Sequence, residues 1–167
     1  MKNIKLVRID FRLIHGQVVT KWKNLVSATQ IIIVDDKLAK DEFLSDIYVM
    51  AAPPDVAVEV ISQQAFIDNA QAGQYDDGKN NALVLFKSIQ TLRNVIDNGV
   101  TFTEVQIGGL GGGVNRKSVT NGISVDRQDI DDLNAIHAKQ VAIYFQVTPE
   151  EVRLTLDKAV AKVGSPL

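Results

Sequence analysis

The chain has no cysteine among its 167 residues. Disulfides, Cys-ligated zinc and thiol nucleophiles are thereby excluded, so any covalent chemistry must use another side chain. Histidine is nearly as scarce, with only His15 and His137. An excess of one charge sign is also lacking. The formal net charge is −2, without the clustered Lys and Arg that nucleic acid requires, so no nucleic-acid partner is expected. Apolar runs such as Ile31 to Val34 fall far short of the roughly 20 residues that span a bilayer. The stretch Met1 to Arg12 is broken by Lys5, Arg8 and Asp10, which is no signal-peptide core. These absences predict a cytoplasmic protein that would work at a membrane only through a partner.

No Pro-rich or Ser-rich linker and no fixed-period repeat divides the chain, so residues 1–167 are expected to form one domain. Short β-branched apolar runs predict strands at Ile4 to Ile9, Gln30 to Val34, Ala57 to Ile61, Ala82 to Phe86, Glu104 to Ile107 and Val141 to Val147. Three- and four-residue apolar spacing predicts helices at Gly16 to Val26, Lys40 to Met50, Gln63 to Ala72, Ile89 to Asn98, Asp126 to Ala138 and Pro149 to Lys162. Strand and helix alternate, and the strands are too apolar to leave one face in water. The expected fold class is therefore α/β, an open, mostly parallel doubly wound sheet with helices on both faces. Ser62 is placed to cap the third helix, Gly99 to follow the fourth, and Thr148, Pro149 and Glu151 to open the last. Gly108 to Asn121 reads as a flexible or closely approached irregular loop, a mobile rim, and Gly164 to Leu167 as a frayed tail.

Ligands of such sheets bind beyond the carboxyl ends of the strands. The first loop there is Asp10-Phe11-Arg12-Leu13-Ile14-His15-Gly16. It joins a carboxylate, a guanidinium and an imidazole at a helix N-terminus, with Gly16 free to adopt an unusual backbone angle. A nitrogen nucleophile, a cation that pairs with phosphate oxygens and backbone donors from Gln17 and Val18 make a seat for a phosphoryl group. Asp10 suits two roles, orienting the His15 ring or positioning Arg12.

The string Arg8-Ile9-Asp10-Phe11-Arg12-Leu13-Ile14-His15-Gly16-Gln17-Val18, with Trp22 after it, resembles the active-site signature of the mannose, fructose and sorbose family of bacterial phosphotransferase IIB components, whose usual form is R-I-D-D-R-L-I-H-G-Q-V. Val34-Asp35-Asp36, Ala52-Pro53-Pro54, Ile107-Gly108-Gly109 and Ser124-Val125-Asp126 extend the likeness along nearly the whole chain. Phe11 departs from it, standing where the family often has an acidic or small polar residue, as does the triple glycine Gly111 to Gly113. The resemblance implies a phosphohistidine carrier. His15 would be the acceptor, at Nδ1, with Asp10, Arg12, Gly16 and Gln17 supporting it and no metal or cofactor. It implies a mannose-type IIA phosphodonor, IIC and IID membrane components that bring the protein to the inner face of the membrane, and a sugar as final acceptor. A homodimer is compatible with it.

Other residues have plainer readings. His137 fits a helix C-terminus, Arg8 a strand-end charge paired with Asp10 or Asp36, and Trp22 packing. Asp35 and Asp36 fit helix capping better than a Mg²⁺-dependent aspartyl-phosphate site. Phe11, Leu13 and Ile14 offer a small apolar contact surface if they face outward. A domain that only binds a phosphorylated ligand would need Arg12 and the backbone donors but not His15.

Overall fold

The computed structural model describes residues 1–164. Beyond Gly164, the tail expected to fray lies outside the described residues. The strands are β1 (Ile4–Asp10), β2 (Gln30–Val34), β3 (Ala57–Ile61), β4 (Ala82–Phe86), β5 (Glu104–Gly109), β6 (Lys117–Thr120), β7 (Ile123–Val125), β8 (Ala142–Phe145) and β9 (Leu154–Thr155). The helices are α1 (residues 16–25), α2 (Asp36–Ala39), α3 (Glu42–Met50), α4 (Gln63–Gln71), α5 (Ile89–Asp97), α6 (Arg127–His137) and α7 (Leu156–Val163). Seven strands make one sheet in the order β3-β2-β4-β1-β5-β8-β9, parallel except for β9, which runs against β8. The α/β class expected from the alternation is the one observed.

β2 and β4 carry no polar alternation because both of their faces are covered. All five residues of β4 are buried, as are Ile31 to Val34 of β2. Successive side chains go to opposite faces. In β1, Leu6 packs with Leu13, Val18, Trp22, Ile31, Ile33, Leu83 and Leu85 on one side. Val7 and Ile9 join Phe66, Phe86, Leu92, Val95, Leu133 and Ile136 on the other. Each fully buried residue of this size contributes about 1.5–3 kcal/mol relative to exposure. The helices start where side-chain oxygens accept the first free N–H groups, at Asp35, Asp41, Ser62, Ser88 and Asp126. α3 is the exception in burial, for none of its residues is buried, and Phe43, Ile47 and Met50 face outward. No helix among the described residues is long and apolar enough to cross a membrane.

Three expectations are corrected. The segment Gly108 to Asn121 is not one irregular loop. Gly108 and Gly109 extend β5, and β6 and β7 form an antiparallel hairpin that turns at Gly122, whose φ is 81°. The loop before the hairpin is braced, because Arg116 donates to the carbonyls of Gly111 (2.8 Å) and Ser124 (2.7 Å) and to the carboxylates of Asp126 (2.6 Å) and Asp129 (2.7 Å). The last helix starts at Leu156 rather than Pro149. The residues that look like its start close a turn instead, with Val147 N–H donating to Glu151 Oε2 (3.1 Å) and the Gln146 amide to the Glu151 carbonyl (2.7 Å).

Candidate active site

β1 lies in the middle of the sheet and delivers its carboxyl end, Asp10, beside Gly109 of β5. Phe11 N–H continues the ladder to the Gly109 carbonyl (3.1 Å), and the chain then turns sharply. Leu13 N–H returns to the Asp10 carbonyl (3.0 Å), while Asp10 Oδ1 accepts from Arg12 N–H (3.2 Å), a side-chain-closed turn of the kind Asp favours. The left-handed residue is Leu13, at φ 56°, and not Gly16, which has an ordinary backbone angle. Leu13 is a poor residue for that conformation. It is held there by complete burial in the α1-side core.

This turn brings His15 back over Asp10. His15 Nε2 lies 2.9 Å from Asp10 Oδ2, and no hydrogen bond engages Nδ1 among the described residues. The ring is largely but not fully covered, at 16 % exposure. Beyond it, the N–H groups of Gly16, Gln17 and Val18 meet no protein acceptor among the described residues, and the first helical bond runs from Val19 N–H to the His15 carbonyl (3.0 Å). α1 then passes through a π turn, Val18–Trp22, in which Lys23 N–H donates to the Val18 carbonyl. Such wide turns are common near functional sites. The Gln17 amide oxygen is buried without a partner among the described residues.

Asp10 therefore serves both roles open to it. Oδ2 meets the imidazole, and Oδ1 meets Arg12 through the backbone and, at 3.5 Å, through Nε. Arg12 keeps its guanidinium toward solvent at 43 % exposure, with the Phe11 ring 5.6 Å away. Burial pushes the Asp10 carboxyl up. The hydrogen bond from His15, the charges of Arg8 and His15 and the Arg12 N–H outweigh this and hold it below the usual carboxylate range.

Arg8, near the end of β1, pairs with Asp10 as expected, at 3.0 Å, and Asp36 is not involved; the side chain is completely buried, the most enclosed cation of the site. It also donates to Gln106 Oε1 and to the carbonyls of Gln146 (3.1 Å), Gly108 (3.1 Å) and Val147 (3.2 Å). Gly108 and Gly109 are required by close approach, since a Cβ at Gly108 would fall on the Arg8 guanidinium and one at Gly109 would sit 2.7 Å from Asp10 Oδ1. Burial pulls Arg8 below the ordinary arginine range, against the raising effect of Asp10. The sequence signal for this cluster was an arginine inside an apolar strand and a Gly-Gly pair at the end of another.

The remaining candidates fall elsewhere. Trp22 is core, and its Nε1–H donates to the Val147 carbonyl (2.9 Å). Asp35 caps α2, and Asp36 accepts from both the backbone and side-chain N–H of Gln63 at the start of α4 (2.8 Å each). No cluster of three or more potential metal ligands exists among the described residues. His137 is tied to the Val141 carbonyl by Nδ1 (3.1 Å). Leu13 and Ile14 are buried, so Phe11 alone of the three apolar loop residues is exposed. On the rim, Lys21 bonds Glu150 (2.8 Å) and helps lower its carboxyl to about 2.

Known proteins carry the same arrangement of elements. The sorbose-specific EIIB component of Klebsiella pneumoniae is 32% identical over 156 residues, covering 93% of this chain and 94% of that one. The crystal structure of the IIBSor domain of the sorbose permease from Klebsiella pneumoniae superimposes with a TM-score of 0.88 at 30% identity, covering 98% and 99% of the two chains. The mannose-specific EIIAB component of Escherichia coli is 28% identical over 160 residues, 96% of this chain but 49% of that protein. The chain thus spans about half the length of the EIIAB relatives it matches. The family model described as PTS system sorbose subfamily IIB component matches residues 4–166. With the fold and nearly the full length in agreement, the chain belongs to the sorbose subfamily of phosphotransferase-system IIB components.

Proposed function

We propose that this chain, acting as one IIB domain over residues 1–167, is a cytoplasmic phosphohistidine carrier with His15 as its acceptor. The observation that carries the reading is the Asp10 Oδ2–His15 Nε2 contact, which leaves Nδ1 without a partner beside the free N–H groups of α1. In the first step the Nδ1 lone pair forms a bond to phosphorus while the phosphorus–nitrogen bond of a donor phosphohistidine breaks. In the second step a sugar hydroxyl oxygen attacks phosphorus, the bond to Nδ1 breaks with its electron pair returning to the ring, and the imidazole takes up the hydroxyl proton. Asp10 orients the ring throughout. Arg12 and the N–H groups of Gly16 and Gln17 neutralise the phosphoryl oxygens, and alignment with charge compensation supplies most of the catalysis.

The donor is a IIA phosphohistidine protein, a reading supported by a relative whose name joins A and B in one component. The acceptor is a sugar entering through IIC and IID membrane components, which hold this protein at the inner face of the membrane. No metal or cofactor is required by the scheme. The test is intact-mass spectrometry of wild type and His15→Ala after incubation with phosphoenolpyruvate, the general phosphotransferase proteins and a mannose-type IIA protein. An acid-labile gain of one phosphate confined to the wild type is expected. Labelling that survives His15→Ala, or its absence from a folded wild type offered several IIA donors, would overturn the assignment.

A further inference from the structure

We propose that Arg8 is a positioning residue of the transfer site, whose buried guanidinium fixes the Asp10 carboxylate so that His15 keeps its proton on Nε2 and presents Nδ1 as the nucleophile. Only the kinetic half of this proposal rests on the carrier reading above.

Leu6, Arg8 and Asp10 alternate onto one face of β1, so the two charged side chains are same-face neighbours two residues apart. Arg8 approaches Asp10 Oδ2 with two nitrogens, Nε at 3.3 Å and Nη2 at 3.0 Å. The same oxygen meets His15 Nε2 at 2.9 Å. Oδ1 is left to the Arg12 backbone and side chain. Arg8 is itself locked in place by Gln106 Oε1 and three main-chain carbonyls, with the Trp22 ring 5.3 Å from its Cζ and Gly108 leaving room for its plane. Within the transfer site it contacts Asp10 alone, so its influence on His15 passes through that carboxylate.

The chemical consequence follows from the donor and acceptor inventory. An ionised carboxylate only accepts, so it selects the imidazole with a proton on Nε2 and a lone pair on Nδ1. Without Arg8, Asp10 would be a completely buried carboxylate left with the half-exposed Arg12 guanidinium at 3.5 Å as its permanent cation, and burial would favour its protonated form. A protonated carboxyl donates, which places the lone pair on Nε2 and the proton on Nδ1, the nitrogen that has to attack phosphorus. Histidines that ligate metals lose about 10–100-fold in affinity or activity when such an outer partner is removed, and the same scale is expected here.

The experiment is NMR of ¹⁵N-labelled imidazole in the unphosphorylated full chain near pH 7.5, comparing wild type with Arg8→Met, alongside the rate of His15 phosphorylation by phosphorylated IIA protein. The wild type is expected to show the Nε2–H tautomer. Arg8→Met is expected to move toward Nδ1–H and to lose about tenfold or more in the transfer rate constant at unchanged KM for the donor. A folded Arg8→Met with the wild-type tautomer ratio, or with a shifted ratio and an unchanged rate, overturns the proposal. If Arg8→Met does not fold, Arg8→Lys takes its place, since one ammonium cannot meet Oδ2 through two nitrogens while holding the carbonyls. A reduced Nε2–H fraction is then expected, and an unchanged one overturns the proposal. Wild type that accepts no phosphate would sink the carrier reading and leave the tautomer result standing.

Discussion

Asp10 shows how much one buried side chain can organise, closing the turn through Arg12 N–H, orienting His15 and balancing Arg8 with two oxygens. Asp10→Asn places an amide where only acceptors fit, and phosphorylation of His15 is expected to fall about 100-fold or more, measured by single-turnover transfer from IIA. The folded carboxyl is held below its usual range. Its contribution to stability is therefore complete above the unfolded value near 4 and disappears as pH falls through the lower folded value. Denaturant titrations should show wild type exceeding Asp10→Asn most at pH 7, with the gap closing below about pH 4. Arg12, nearly half exposed, should behave oppositely. Arg12→Ala is expected to slow transfer while leaving stability within about 0.5 kcal/mol of wild type. The grouping of His15, Asp10 and Arg12 was legible because the three sit within six residues of one another. The cradle of Arg8 was not, since its partners Gln106, Gly108, Gln146 and Val147 come from strands and loops 98 to 139 residues further on.

At the scale of elements, β2, β3 and β4 begin and end where their apolar runs do; in β2 and β4 burial on both faces leaves no polar position inside the strand to blur the limits, whereas β3, a half-buried edge strand, is matched residue for residue to β2. The hairpin escaped notice although Asn121-Gly122 is a strong turn signal. Its strands are only four and three residues long, and the glycines before them set the composition of the whole segment. Thr148-Pro149 with Glu151 has the chemistry of a helix start, yet Glu151 is used to close the turn after β8. The same residue types serve both purposes, and only the tertiary position of β9 decides between them. The close packing of β5 on β1 gives a direct test. Gly108→Ala drives a methyl group into the Arg8 guanidinium, and a loss of about 3 kcal/mol is expected in urea unfolding. Ser88→Ala, which removes the α5 cap and the Thr91 hydroxyl contact (2.9 Å), should cost about 1 kcal/mol.

For the molecule as a whole, the two apolar clusters lie on opposite faces of one sheet and share its strands. Neither can lose its strands without exposing the other, so a single cooperative transition is expected. The only tryptophan, Trp22, reports on the α1-side cluster, whereas far-ultraviolet circular dichroism reports on all helices. The two urea curves should coincide, and separate midpoints would show that the faces unfold independently. Strand order also governs when the site comes into being during synthesis. β1 leaves the ribosome well before its neighbours β4 and β5, which start at residues 82 and 104, and the Arg8 cradle is closed by the carbonyl of Val147. A nascent chain shorter than that carries the complete His15 loop without the strands and carbonyls that shape it. The surroundings of His15 are thereby complete only once residue 147 has been made, and on the carrier reading a shorter product is expected to accept no phosphate.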